Sequence, residues 1–543
     1  MLAAKLILKC LEKENVEVIF GYPGGALLPF YEALRESPIE HILVRNEQAA
    51  PHYASGYARE SGKVGVCMAT SGPGATNLVT GIATAYLDSV PLVAITGQVN
   101  RELIGTDAFQ EADITGATAP FTKHSYLVQQ AKDIPRIFKE AFHIASTGRP
   151  GPVLIDIPRD VQMENLKTVP HCDRVSIRGY KPTYAGHAGQ ISRAVRKIKA
   201  AKRPVIYAGG GVRLSHAQDE LRVFAEKHQI PVITTLMGIS CFPEDHPLYC
   251  GVVGSHGYEY ANEIMKAADL CISVGVRMSD RGTNNLTEMI GNMELIHIDI
   301  DPAEIGKNIN ATNIPIVGDA KTVLTDLIAK EMDCDLSKWL KEIEEIKAAH
   351  PIRYESRLPY VNPKLLFKDL SKIVDDNTTL VADVGLNQFW SALYFEVCKD
   401  RRYFTSGGLG TMGYSIPAAE GVAFATRKAP KQIFAVCGDG SFQMAVGELA
   451  VMAEHGLNIN IILINNHKLG MVRQLQHDTY GKNHYSGTDI NFRIDFMKLA
   501  EAYQIKGFHA ETNEEAVQAI REAIAHKGPT LIECRVHEDF IKI

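Results

Sequence analysis

Residues 432–441 read QIFAVCGDGS and residues 458–466 read NINIILINN. Each is a short, β-branched apolar run that stops at polar residues, the pattern of a strand buried on both faces and ending in a turn. The first stops at Gly438-Asp439-Gly440-Ser441 and leads through a helical stretch to about His455; the second stops at Asn465-Asn466. Strand, helix and strand in that order predict a parallel pair, and a parallel pair delivers both polar ends to one carboxyl edge, where such sheets bind ligands. Asp439 and Asn466 are therefore expected to meet.

The residue types at that edge suit an anion bound together with a divalent cation. Glycines on both sides of Asp439 let a diphosphate approach the backbone, and the helix that follows offers unpaired N–H groups to its oxygens. Magnesium takes near-octahedral oxygen ligands, few of them from the protein. A carboxylate, an amide oxygen and one carbonyl beyond the second asparagine meet that demand. Either turn alone is an ordinary strand-to-helix connection; the ordered pair, with 24 residues between GDG and NN, is not. Just upstream, Gly408-Leu409-Gly410-Thr411-Met412-Gly413 satisfies the dinucleotide pattern GxGxxG. The segment before it, RRYFTSG, reads as a poor buried strand, and the next acidic strand end is Asp439 itself, so a nicotinamide site is not expected there.

Working outward, the same rhythm of short strands and longer helical stretches occurs in three blocks of the 543-residue chain, which predicts an α/β protein of three doubly wound parallel-sheet domains. Residues 1–165 hold VEVIF, HILVR, VGVCMA, PLVAIT and PVLIDIP; residues 187–332 hold PVIYAGGGV, IPVITTL, LCISVGVR and LIHIDIDP; residues 360–543 hold TTLVADVG, the two strands above and PTLIECRV. Aperiodic, proline-bearing stretches at about 166–186 and 333–362 read as linkers, the second containing a charged helical run, DLSKWLKEIEEIKAAH, able to pack on a neighbour.

Composition narrows the function classes. A net charge of −6 leaves no broad basic surface for a phosphate backbone, so no nucleic-acid partner is expected. The ten cysteines are scattered without a CxxC pair, as small core residues in a reducing compartment would be. The first residues form an amphipathic helix rather than a signal peptide, and no apolar run approaches membrane-spanning length; no membrane association and a cytoplasmic location are the expectations.

After HILVR comes Asn46-Glu47-Gln48-Ala49-Ala50, a glutamate at a helix start, which on its own is an ordinary dipole interaction. Taken with GDG and NN it resembles the catalytic glutamate of thiamine diphosphate enzymes. Long stretches carry a closer resemblance: GYPGGALLPFY (21–31), SGPGATNLVTGIATAYLDSVPLVAITGQV (71–99), GTDAFQE (105–111), TGRPGPVLIDIP (147–158), IDIDPAEIGKN (299–309), SGGLGTMGYSIPAA (406–419) and LGMV (469–472). From about residue 2 to 540 the chain resembles the catalytic subunit of the acetohydroxyacid synthase (acetolactate synthase) family.

That resemblance implies a pyruvate oxidase-like architecture: a pyrimidine-binding domain, a central FAD-binding-like domain and a diphosphate-binding domain. It implies a carboligase that decarboxylates pyruvate and transfers the acetaldehyde unit to a second 2-oxo acid, giving 2-acetolactate. The alternative within the family is a cyclic diketone hydrolase or a sulfoacetaldehyde acetyltransferase. The implied cofactors are thiamine diphosphate, Mg2+ and a FAD with no redox role in the overall reaction. Asp439, Asn466 and the carbonyl of Lys468 would hold the metal. Gly410, Met412, Gly438, Gly440, Ser441, Met444, Leu469, Gly470 and Met471 would contact the coenzyme. Glu47, on the aminopyrimidine ring and buried, would carry a raised pKa, with Gly25, Phe109 and Gln110 beside it. Arg277 would receive the acceptor's carboxylate. Gly209, Gly210, Gly211, Thr234, Leu236, Arg277, Asp299 and Asp319 would face FAD. Because the family sets the glutamate and the diphosphate site on different subunits, a homodimer or homotetramer follows, with room for a separate regulatory subunit.

Departures from the family gather where the second substrate is chosen. Leu475 stands for a tryptophan that favours 2-oxobutyrate and Ser255 for a methionine; Asn46, Ser279 and Asn387 stand for a histidine, an aspartate and a histidine, and Arg159 for a lysine. Loss of an indole wall predicts a pyruvate-selective or unselective enzyme.

Overall fold

A computed structural model describes residues 1–168, 171, 172, 174–283, 293–309, 312–332, 335–354 and 359–538. Three six-stranded sheets, all parallel in their described pairings, organise the chain. In the first, β1 (Val18–Tyr22), β2 (Glu40–Leu43), β3 (Gly65–Ala69), β4 (Leu92–Gln98), β5 (His124–Leu127) and β6 (Pro152–Pro158) lie in the order β2-β1-β3-β4-β6-β5. In the second, β7 (Pro204–Ala208), β8 (Val232–Thr234), β9 (Tyr249–Val252), β10 (Leu270–Val274), β11 (Glu294–Asp299) and β12 (Thr312–Val317) run β12-β11-β10-β7-β8-β9. The third places β13 (Thr379–Ala382), β14 (Arg402–Thr405), β15 (Ile433–Gly438), β16 (Ile459–Asn465), β17 (Lys506–Ala510) and β18 (Thr530–Arg535) as β14-β13-β15-β16-β18-β17. Central strands such as β4 and β16 are buried along their whole length, which is why their sequences are apolar without alternation.

The chain divides into two compact units. The first comprises Met1–Tyr180, Thr379–Gln388 and Phe404–Ile541, and the second Lys181–Thr378 with Phe389–Tyr403. Within the first unit one hydrophobic core runs through the first and third sheets, from Phe20, Tyr53 and Leu92 to Tyr414, Val422 and Leu463. The helices Ala50–Ser61 and Ser415–Ala425 cross at glycines: a Cβ on Gly56 would lie 1.9 Å from the carbonyl oxygen of Ala418, and one on Gly421 2.0 Å from that of Tyr53. Only backbones without side chains can approach so closely.

Two readings of the sequence need correction. RRYFTSG is not a poor strand; it supplies β14, whose last three residues are buried although it lies at a sheet edge. The stretch read as a second linker is more than that: its charged helical run is the helix Ser337–Ala349, which packs, as that reading allowed, into the second unit's core, where Trp339 is 1% exposed and its Nε1 donates to the Pro204 carbonyl at 3.0 Å.

Candidate functional site

The edge of the third sheet assembles what its two strands present. β15 and β16 pair in register as far as Gly438 with Ile464, so Asp439 and Asn466 start level turns. Asp439 opens the short helix Asp439–Met444 and is 2% exposed; Asn466 is 5% exposed. Burial pushes the Asp439 carboxyl up to about 7, against the pull of the N–H groups of Asp439, Gly440 and His467 and of the Arg535 guanidinium. The N–H of His467, next to Asn466, is donated to Asn465 Oδ1 at 3.2 Å, and its imidazole Nδ1 stands 4.0 Å from Asp439 Oδ2. Asn466 Oδ1 accepts from the N–H of Lys468 at 3.1 Å, and His467 between them takes a left-handed φ of 54°. The Lys468 ammonium is turned to Asp489 (2.9 Å) and Glu538 (3.3 Å), leaving its main chain to face the turn.

A magnesium-bound diphosphate fits these residues. Asp439 Oδ2 is buried and, among the described residues, accepts no hydrogen bond, a costly state unless another charge completes it. An amide oxygen has two lone pairs, so Asn466 Oδ1 retains one for a metal. No cluster of three His, Cys, Asp or Glu that could hold a metal ion occurs among the described residues. Around the turn, a Cβ on Gly440 would lie 2.8 Å from Leu469 and 3.5 Å from Met412, one on Gly470 2.6 Å from Leu386, and one on Gly413 3.1 Å from Met444. Gly438, Gly440, Met412, Leu469 and Gly470 are thus gathered; Met471 follows in the helix Gly470–Tyr480, and Met444 is 63% exposed. Ser441 Oγ is held by the Gly438 N–H at 3.1 Å and shares that turn. Gly410, at φ 74°, needs the absence of a side chain for its turn.

Asp383, unremarked in the sequence, organises the GLGTMG loop. Wholly buried at the end of β13, it accepts from the N–H groups of Gly413 (3.0 Å) and Ser415 (2.9 Å), and burial raises its pKa. Asp88 takes the Gly408 N–H at 2.7 Å, and Ser406 Oγ that of Thr411 at 3.0 Å. Three of the loop's amides, those of Gly408, Thr411 and Gly413, are bonded within the chain and are not offered to a dinucleotide phosphate, which argues against nicotinamide binding despite the preceding strand. The signal available was an acid ending a buried strand, TTLVADVG.

The first sheet's edge gathers the second group. Glu47 begins a short turn, Glu47–Ala49, capped by Asn46, and accepts from Asn77 Nδ2 at 3.0 Å. Gly74, whose Cβ would lie 3.5 Å from Glu47 Oε1, and Gly72, whose Cβ would lie 2.8 Å from the Gln110 carbonyl oxygen, bring the loop after β3 between them. Gln110 holds a left-handed φ of 60°, uncommon for a side-chain-bearing residue and a mark of functional loops. Gly25 opens the turn after β1, where a Cβ would meet nothing within 4 Å, and Phe109 is 88% exposed. The expectation of a buried Glu47 is not met in the single chain: the residue is half-buried.

In the second unit the remaining candidates share one sheet edge. Gly209 and Gly211 pack against the Gly275 backbone after β7, Thr234 ends β8, Leu236 opens the turn Leu236–Gly238, Arg277 follows β10 and Asp299 ends β11. Gly210 begins a five-residue helix, and a Cβ there would lie 3.3 Å from Met237. Asp319 already has a structural task, capping the helix Ala320–Ile328 through Thr322 N–H (3.0 Å) and accepting from Ser215 Oγ (2.6 Å). No helix among the described residues is long and apolar enough to cross a membrane.

Three family models match: the N-terminal TPP binding domain of thiamine pyrophosphate enzymes over residues 1–117, their central domain over 191–327 and their C-terminal TPP binding domain over 383–534. The chain is 47% identical to a probable acetolactate synthase large subunit of Methanococcus aeolicus, across 98% of this chain and 92% of that one. It is 46% identical to a probable acetolactate synthase large subunit of Methanocaldococcus jannaschii (98% and 91%) and 46% identical to an acetolactate synthase of Mycobacterium bovis (99% and 87%). With three parallel α/β sheets in the order of those domains, and likeness sustained end to end, the chain belongs to the acetolactate synthase family of thiamine pyrophosphate enzymes.

Proposed function

We propose that the chain condenses two molecules of pyruvate, with loss of carbon dioxide, to 2-acetolactate. The observation that carries this is Asp439, a buried carboxylate with an oxygen left unbonded among the described residues, set beside Asn466 in a chain whose relatives are named acetolactate synthase. Those names favour this reading over a diketone hydrolase or a sulfoacetaldehyde acetyltransferase. Thiamine diphosphate, when bound, supplies the electron sink for decarboxylation. Asp439, Asn466 Oδ1 and the Lys468 carbonyl would hold its Mg2+; Gly438, Gly440 and Ser441 leave room for the diphosphate, and Gly410, Met412, Met444, Leu469, Gly470 and Met471 would wall the coenzyme. Glu47 would hold a proton at the aminopyrimidine nitrogen, with Gly25, Phe109 and Gln110 keeping that end closed to water.

Closure needs a second surface. Phe109 and Met444 are too exposed in one chain to shield a reacting carbon, which supports an active site completed by a second copy, in a homodimer or homotetramer. The relatives' names, "large subunit", support a smaller regulatory partner. For FAD the support is the glycine turn at 209–211 with Thr234, Leu236, Arg277 and Asp299 at one edge; Asp319, engaged as a helix cap, adds less. Arg277 also offers a planar fork for a carboxylate.

The test is direct. Purified protein supplied with pyruvate, thiamine diphosphate and Mg2+ should form a product that acid converts to acetoin, detected by colour, and should carry a flavin spectrum. Pyruvate turnover without acetoin overturns the proposed reaction; a colourless active enzyme overturns the flavin alone.

A further inference from the structure

Three acidic side chains lie together, wholly enclosed, where the first and third sheets share a core. Tyr53 on the helix Ala50–Ser61, Glu420 on the helix Ser415–Ala425 and Glu448 at the end of the turn Val446–Glu448 are each 2% exposed or less. The Tyr53 hydroxyl contacts Glu448 Oε2 at 2.9 Å and Glu420 Oε2 more closely still. One hydroxyl gives one proton, so a second oxygen–oxygen contact requires a proton on a carboxyl group. Two adjacent carboxylates in a dry interior do not both ionise.

The surroundings decide where the charge rests. Glu448 accepts the N–H groups of Arg45 (3.1 Å) and Asn46 (3.0 Å) and lies near the Arg45 guanidinium, which is paired with Glu454. Glu420 has no such donors; burial and the Glu448 charge raise its pKa well above the ordinary, and its Oε1 accepts nothing among the described residues. The donation order is therefore Glu420 to Tyr53 to Glu448, with the charge on Glu448.

Arg45 and Asn46 immediately precede Glu47. They lie outside regular structure, between the end of β2 at Leu43 and the turn that starts at Glu47. We propose that Glu448, backed by Tyr53 and Glu420, is the positioning residue for Glu47, fixing by two consecutive N–H bonds the backbone that aims the catalytic carboxyl group. A side-chain bond from Asn77 Nδ2 to Glu47 Oε2 sets the other end of that group. This inference rests on the role given to Glu47 above.

The experiment compares Glu448→Ala, Glu448→Gln and Glu47→Gln in the holoenzyme. Glu448→Ala should lower kcat by about 100-fold, the scale of a roughly 1 Å misplacement, with KM for pyruvate and thiamine diphosphate affinity unchanged. It should also speed amide hydrogen exchange at residues 45 and 46 in the coenzyme-free chain. Glu448→Gln should recover most of the loss, since its amide oxygen accepts the same two N–H groups and its amide nitrogen can donate to Tyr53. Wild-type kcat in Glu448→Ala overturns the inference, as does equal loss of kcat and coenzyme affinity without rescue by Gln. Full activity in Glu47→Gln overturns the reading of Glu47 instead. Should Glu448→Ala fail to fold, Tyr53→Phe keeps the ring and removes the relay, and an unchanged kcat there counts against the inference.

Discussion

The two half-sites of the first unit are built to different degrees. At the third sheet Asp439 and Asn466 are buried, the turn glycines sit against their neighbours, and the loop amides are bonded to Asp383 and Asp88. At the first sheet Glu47 is half-buried, Gly25 faces open space and Phe109 projects outward. The difference suits the roles proposed for the two half-sites. A metal-bound diphosphate is held by a few fixed oxygens and N–H groups, so its desolvation and ordering are best completed in advance. A carboxyl group that passes a proton, the role proposed for Glu47, works best once water is excluded.

The largest expected effects separate the halves. Asp439→Asn should weaken thiamine diphosphate and Mg2+ binding by more than the about 100-fold that loss of a supporting group costs a metal site, measured by titration calorimetry. Glu47→Gln should leave that affinity nearly intact while lowering kcat by about 10²–10⁴-fold, the range of general acid–base catalysis. Equal loss of affinity in both variants would mean that the two ends are not independently built.

Next in size come the ties that hold the halves in one body. Asp88 pairs with Arg59 at 2.8 Å, both side chains nearly inaccessible, while Arg59 also donates to the Thr405 carbonyl. Asp88→Ala strands a buried guanidinium and frees the Gly408 N–H, so denaturant unfolding should show a loss of about 3–5 kcal/mol; a loss below 1 kcal/mol would mean that water reaches Arg59. Asp156 lies under the first half-site: Gln98 Nε2 donates to its Oδ2 at 3.0 Å and to the Ala112 carbonyl at 2.8 Å, two residues from Gln110. Burial pushes the Asp156 carboxyl up to about 7, from about 3.8 when unfolded. Raised in the fold, it contributes stability fully below pH 3.8 and loses it as pH rises through 7, up to about 4 kcal/mol at about 1.4 kcal/mol per pH unit. Asp156→Asn should flatten the decline in unfolding midpoint between pH 4 and 8; an identical slope would show that Asp156 ionises freely.

What the sequence discloses follows burial. The strands legible from their apolar runs are mostly the interior ones; β5, β9, β12, β14 and β17, not apparent in it, all stand at sheet edges. An edge strand has neighbours on one side only, and β5 and β17 keep partly exposed residues through most of their length, so their composition is mixed. At the site, Asp439 and Asn466 are legible because polar residues there break off the apolar runs of two adjacent buried strands. Asp88, Asp383 and Glu448 are not, because each acts on backbone N–H groups remote in the chain, Glu448 on Arg45 across 403 residues. Glu47 is legible only through the family resemblance, and in this chain it is half-buried.

The smallest expected effect lies on the built half, at a place that is itself open. Leu475 sits on the helix Gly470–Tyr480, 42% exposed, at the position where the family resemblance implies a tryptophan. Pyruvate and 2-oxobutyrate differ by one methylene, and a pocket distinguishes that much by about 1–3 kcal/mol. An aliphatic side chain offers less wall to the extra methylene than an indole does. Given both acids together, the natural chain should therefore form acetolactate in at least equal share, and Leu475→Trp should move the product ratio toward the larger acceptor by about 10-fold or more, with thiamine diphosphate affinity and the unfolding midpoint unchanged. If the natural chain already prefers 2-oxobutyrate strongly, selectivity resides elsewhere, with Ser255 or Arg277 the next positions to vary. If the variant instead loses coenzyme affinity, residue 475 contributes to the preassembled half rather than to the choice of acceptor.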